Sequence, residues 1–135
     1  MLSEAERHER ALKKIAEIDP GVAERLMNSM KDIAPDLARH AIDFPFGDIF
    51  TRPGLDLKSR EMINVAALTA LGNAEPQLKF HIKGALNVGC SQEEIVEIII
   101  QMAVYAGFPA ALNGMQAAGE VFRERAMEAN AQPAD

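Results

Sequence analysis

Leu78-Lys79-Phe80-His81-Ile82-Lys83-Gly84-Ala85-Leu86-Asn87-Val88-Gly89 is the stretch that decides the fold. It reads as an apolar helix with a lone histidine at its centre. Pro76 suits the first turn, because a helix leaves its first N–H groups unbonded anyway, and Val88-Gly89 ends it. His81 shares a face with Gln77 and Ala85, one turn to either side, and Leu78, Phe80 and Ile82 set apolar bulk around it.

The pattern continues on both sides. Upstream, Asp56 or Leu57 starts a helix that runs to Leu71, where Gly72 is a natural stop. Met62, Ile63, Val65, Ala66, Ala67, Leu68, Ala70 and Leu71 wrap nearly its whole circumference, which predicts a central helix or a subunit contact. Downstream, Ser91-Gln92-Glu93-Glu94 is a capping box for a helix over 92–105. Gly107 and Pro109 break the chain before a last helix over about 110–128, and 130–135 reads as a frayed tail.

Toward the N-terminus, Ser3 and Glu6 cap a helix over 3–18 whose apolar stripe is Ala11, Leu12, Ile15 and Ile18. Asp19-Pro20-Gly21 stops it. A second helix follows over 22–33, with Val22, Leu26, Met30 and Ile33 near one face, and Pro35 opens a third ending near Asp43. Phe44-Pro45-Phe46-Gly47-Asp48-Ile49-Phe50 holds no helical period and reads as a loop or short turn clamped onto the core. No strand alternation and no glycine-rich nucleotide loop occurs. The expectation is all-α: a single domain over 1–135, a compact bundle of six to seven helices with short links.

Composition narrows the function. With 48% hydrophobic residues the chain can bury a real core, and a domain of 135 residues then leaves apolar surface that self-association would cover. The formal charge of −6 argues against a nucleic-acid surface, so an anionic substrate must be met by local cations. One cysteine, Cys90, rules out an intrachain disulfide or a CxxC pair and reads as a packing residue. His8, His40 and His81 lack ligand spacing, so no metal site is expected. There is no apolar run long enough for a membrane span and no signal peptide, and a reducing cytoplasm is the default expectation.

The polar groups have two readings each. His81 is a satisfied core residue or a general acid/base, histidine being the side chain that titrates near neutrality. Glu61 is favoured by the helix dipole in a first turn. Arg60, beside so apolar a helix, is an ion-pair partner or an anion hook, and Asn64 follows it by one turn. Arg52, held out of helix by Pro53, reaches a pocket or solvent. Glu97 and Gln101 form a thin polar stripe on an isoleucine-rich helix, and Tyr105 donates a hydrogen bond or packs at its end.

These residues carry a family likeness. Thr51-Arg52-Pro53-Gly54-Leu55, the following Arg60, the His81 helix through Gly84-Ala85-Leu86-Asn87 and Gly89, and Ala103-Val104-Tyr105-Ala106-Gly107 with Pro109-Ala110-Ala111 together resemble the carboxymuconolactone decarboxylase family. The resemblance covers residues 47–122, with the N-terminal helices over 1–43 compatible. It implies the all-helical fold shared with alkylhydroperoxidase-like proteins and a homo-oligomer, a trimer or hexamer. The peroxidase branch places a CxxC pair before its histidine, where this chain has Ala74 and Gln77, so a thiol peroxidase mechanism cannot run here.

The decarboxylase branch implies conversion of 4-carboxymuconolactone to 3-oxoadipate enol-lactone and carbon dioxide, in aromatic catabolism by the beta-ketoadipate pathway. It implies no cofactor, because the substrate carries its own electron sink. On this resemblance His81, Arg60 and Glu61 are the expected catalytic residues. Arg52, Glu97 and Tyr105 are the expected contacts to a small anionic substrate. The same fold acting on another lactone or carboxylated compound, and a non-catalytic oligomeric binding protein, are the competing readings.

Overall fold

A computed structural model describes residues 1–131, and seven α-helices and one π-helical segment occupy most of them, with no strand among the described residues. The helices are α1 Glu4–Ile18, α2 Val22–Met30, α3 Pro35–Ile42, α4 Leu57–Leu71, α5 Glu75–Asn87, α6 Gln92–Ala106 and α7 Phe108–Ala131. The all-α expectation holds. Asn130 and Ala131, expected to fray, continue α7, and the rest of that tail lies outside the described residues. The chain forms two compact units, Met1–Leu57 and Lys58–Asp135.

In the first unit α1 is capped as its sequence predicts. The Ser3 hydroxyl accepts the Glu6 N–H, and Glu6 accepts the Ser3 N–H in return. Ala11, Ile15 and Ile18 are buried. α2 stops at Met30, three residues short of the expected end. Lys31–Ile33 turn instead, with Ile33 well exposed, because Pro35 must open α3 and forces the residue before it out of helix.

The segment read as a loop is a correction. Asp43–Ile49 is a π-helix that continues directly from α3. Pro45 has no N–H to give to an α-helical ladder, and the chain widens by a residue around it. The Phe50 N–H then reaches the Pro45 carbonyl at 2.8 Å, five residues back. The Thr51 hydroxyl donates to the Gly47 carbonyl at 2.7 Å. Gly47 is needed there. A Cβ on it would lie 3.2 Å from the Arg7 carbonyl oxygen, so the missing side chain lets α1 lie against the segment. Phe46 is buried edge-to-face with Phe50 at 4.9 Å between ring centroids, while Phe44 is exposed.

The second unit carries the larger core. Val65 of α4, Leu78, Ile82 and Ala85 of α5, Ile95 and Ile99 of α6, and Ala111, Ala117, Ala118 and Val121 of α7 form one buried cluster with Cys90. Burying each of the large aliphatic side chains contributes about 1.5–3 kcal/mol. The small residues of α7 let neighbouring helices approach. At Gly114 a Cβ would stand 2.8 Å from Thr69 Cγ2. The Ser91–Glu94 capping box forms, and Lys58 pairs with Glu94 at 3.3 Å, tying the start of α4 to that of α6. Lys79 pairs with Glu75 on its own helix and with Glu120 on α7.

α4 is apolar on nearly all sides, yet a single row of it is buried: Glu61, Val65 and Thr69, each one turn from the next. Ile63 and Leu71 stay half exposed or more. Among the described residues no helix is long and apolar enough to cross a membrane.

Candidate functional site

The site grows out of that buried row. Glu61 stands in the opening turns of α4 and is completely buried. A carboxylate removed from water must be compensated by hydrogen-bond donors or an opposing charge. Residues 72–74 reverse the chain, with Gly72 in the left-handed conformation at φ +78°, and α5 returns along α4. His81, twenty residues beyond Glu61, thereby meets it: Nδ1 lies 2.8 Å from Glu61 Oε2. Asn64, three residues past Glu61 on the same face, donates its amide to Glu61 Oε1 at 3.3 Å, and the same nitrogen is 3.3 Å from His81 Nδ1.

A carboxylate accepts only, so the bond to Oε2 places a proton on Nδ1. The imidazole is held by the nitrogen that faces the protein. Nε2 makes no hydrogen bond with the described residues. Phe80 stacks on the imidazole at 4.5 Å between centroids and 11° between planes. The His81 side chain is 16% exposed, Glu61 not at all. A carboxylate behind an imidazole fixes its tautomer and stabilises the imidazolium, the arrangement that lets the outer nitrogen give or take a proton.

The other expected site residues are placed as follows. Arg60 adjoins Glu61 in α4 and is half-buried. Arg52 belongs to the first unit, where its backbone N–H donates to the Ile49 carbonyl after the π segment, and it is exposed. Glu97 and Tyr105 lie on the exposed side of α6 with Ile100, Gln101 and Val104, and the structure does not bring them into the Glu61–Asn64–His81 network. A cavity of about 180 Å3 opens further along, between Thr69 of α4, Gly72 and Ala74 of the turn, Glu75 and Leu78 of α5, and Asn113 and Gly114 of α7. It does not include His81. Cys90 is buried, its sulfur 4.0 Å from the Lys58 carbonyl oxygen.

Sequence reasoning singled out Glu61 and His81 and noted Asn64 only as lying one turn past Arg60. The signal was present: Asn64 follows Glu61 at helical i, i+3 spacing. It also missed a second histidine–carboxylate pair in the first unit. There buried Asp43 takes His8 Nδ1 at 2.5 Å on one oxygen and Arg39 Nε at 3.3 Å on the other. Arg7 and Asp48 add a two-bond ion pair, and the Arg7 guanidinium holds the Asp48 carboxyl below the usual carboxylate range. Both oxygens of Asp43 are thus engaged in fastening α1 to α3 and the π segment.

The profile of the carboxymuconolactone decarboxylase family matches residues 35–120, which include all of α3 to α6 and half of α7. The chain is 33% identical over 100 residues to 4-carboxymuconolactone decarboxylase of Acinetobacter baylyi, covering 74% of each. It is 35% identical to a 15.0 kDa protein from the nqo9-nqo10 intergenic region of Paracoccus denitrificans, over 73% of this chain and 74% of that one. It is 33% identical to nitrosuccinic acid decarboxylase npaB of Metarhizium robertsii, over 54% of this chain and 50% of that one. The chain belongs to the carboxymuconolactone decarboxylase family.

Proposed function

We propose that this chain is a cofactor-independent decarboxylase of small carboxylated lactones, with 4-carboxymuconolactone as its substrate. The observation that carries the reading is the buried Glu61 behind His81, which leaves Nε2 as the ring nitrogen for proton transfer. The decarboxylase names of two relatives support it.

The chemistry makes modest demands. As the carbon–carboxyl bond breaks, its electron pair forms a new ring double bond. The existing double bond shifts its pair onto the lactone carbonyl oxygen. Carbon dioxide departs, and the resulting enolate takes a proton at the carbon beside the carbonyl to give the enol-lactone. The substrate supplies the electron sink. The protein must hold the carboxylates, stabilise the oxyanion and deliver one proton. His81, protonated and backed by Glu61, delivers that proton from Nε2. Arg60 holds carboxylate or oxyanion, arginine being suited to two-bond recognition of such groups. Glu97 and Tyr105 are second candidates for substrate contact.

We further propose that the protein is a homo-oligomer, a trimer or hexamer, whose contacts cover the exposed apolar side chains Ile100, Val104, Tyr105, Phe108 and Leu112. A second reading of the substrate comes from the nitrosuccinic acid decarboxylase relative: the same site can serve another acid whose neighbouring group accepts the electron pair.

The test is to mix purified protein with freshly made 4-carboxymuconolactone and follow enol-lactone formation, with His81→Gln alongside. Turnover that falls by about 100-fold or more in the variant supports the reading, since general acid catalysis contributes that much. Equal rates in both would sink the role of His81. Absence of turnover in the wild-type chain would reject this substrate.

A further inference from the structure

We infer that Asn64 is a positioning residue, which acts through Glu61 to hold His81 in the Nδ1–H tautomer and so reserves Nε2 for the substrate. The inference rests on the proposed role of His81 as proton donor and extends it to a residue that acts through Glu61.

The three side chains form a triangle with two hydrogen-bonded sides, 2.8 Å from His81 Nδ1 to Glu61 Oε2 and 3.3 Å from Asn64 Nδ2 to Glu61 Oε1; the third side, 3.3 Å from Asn64 Nδ2 to His81 Nδ1, is a contact between two donors when Nδ1 carries its proton. The hydrogen-bonding capacities of two corners are fixed. An ionised carboxylate only accepts, and the amide nitrogen of asparagine only donates. Turning the carboxamide over would set Oδ1 against Oε1, two acceptors at close range. The amide nitrogen therefore faces the carboxylate. Nδ1 is the one corner that can change, and the direction of its bond depends on how the carboxylate is held.

Glu61 is completely buried, and its hydrogen-bond partners are His81 and Asn64. With Asn64 in place each carboxylate oxygen has its own donor, and the carboxyl plane is fixed from both ends. Without Asn64, Oε1 loses its one protein donor. The carboxyl group is then free to rotate away from Nδ1, and no other acceptor holds the proton on that nitrogen. The neutral ring can then carry its proton on either nitrogen, and the imidazole is free to turn. The same loosening moves Nε2 relative to a bound substrate, and small misplacements of a proton donor are costly to rate.

The experiment uses the full chain labelled with ¹⁵N-histidine, as wild type, Asn64→Leu and Asn64→Ala. Two-bond ¹⁵N–¹H correlation spectra, recorded where His81 is neutral, distinguish a protonated Nδ1 from a protonated Nε2. The expected result is an Nδ1–H pattern for His81 in the wild type and a mixed or Nε2–H pattern in the folded variants. A wild-type pattern retained in either folded variant overturns the inference. Loss of fold in both variants also overturns it, by assigning Asn64 to holding the helices together. On 4-carboxymuconolactone the variants are expected to lose roughly 10- to 100-fold in kcat with KM within about twofold. Failure of the wild type to turn over this substrate would reject the decarboxylase reading alone, and the spectra would still decide the role of Asn64.

Discussion

His81→Ala should cost stability as well as chemistry, and the size of that cost follows from where its partner lies. Glu61 is wholly inaccessible to water, and the 2.8 Å bond to His81 is the shorter of its two. Removing one partner of a buried charged pair costs about 3–5 kcal/mol, most of it the expense of leaving the other charge in a dry interior. Here the cost falls at the low end. The His81 side chain is itself partly exposed, so water can enter the space it vacates, and Asn64 keeps its longer bond to Oε1. The expected loss is about 3 kcal/mol, which for a chain of this length lowers Tm by roughly 10 °C.

The companion variant is Glu61→Leu/His81→Leu, which removes the charge together with its partner. It should be more stable than His81→Ala by about 1 kcal/mol or more, because apolar replacement of a whole buried pair is often neutral or better. Urea unfolding followed by far-UV circular dichroism, at one fixed protein concentration, measures both. His81→Ala within about 0.5 kcal/mol of wild type, or a double variant less stable than His81→Ala, would refute the reasoning that Glu61 is a buried charge dependent on His81.

Three further outcomes follow from the packing and the charges. Gly114→Ala gains about 1 kcal/mol of helix propensity but drives a Cβ to 2.8 Å from Thr69 Cγ2, so thermal melts should show a net loss of about 1 kcal/mol, relieved when Thr69→Ser removes that methyl. Lys79→Met should destabilise the chain at neutral pH, with the difference from wild type shrinking in acid. The Lys79 hydrogen bond depresses the Glu120 carboxyl below its ordinary value of 4.5, so its contribution is present above that value and lost as pH falls through the folded one. Unfolding curves at a series of pH values would read this, and a constant difference would contradict it. Val104→Glu on the exposed side of α6 should lower the assembly mass in light scattering, and an unchanged mass would place the subunit contact elsewhere.

Most of the helices were legible because their boundaries are written in local chemistry. Ser3 with Glu6 and Ser91 with Glu94 form capping boxes that need no tertiary partner, and Gly72 and Gly107 stop helices by their own backbone freedom. The segment Asp43–Ile49 was not legible as helix. A π-helix has its own repeat, Pro45 looks like a breaker, and what stabilises it is contact with α1 through Gly47, Arg7 and His8, far away in sequence. The site was half legible. Glu61 and His81 stood out as polar groups in apolar helices, but their pairing depends on the reversal at residues 72–74. Asn64 was legible only as a neighbour of Arg60, because an uncharged residue near a helix start has so many ordinary explanations.

The most direct test of the central claim is to run the reaction in D2O with 4-carboxymuconolactone and count carbon dioxide released and deuterium gained in the enol-lactone, for the wild type and for His81→Gln. The account predicts one carbon dioxide and one deuteron at the carbon beside the carbonyl for each wild-type turnover, and both losses together in the variant. Carbon dioxide release no faster than in buffer, or a variant that retains the wild-type rate, would contradict it.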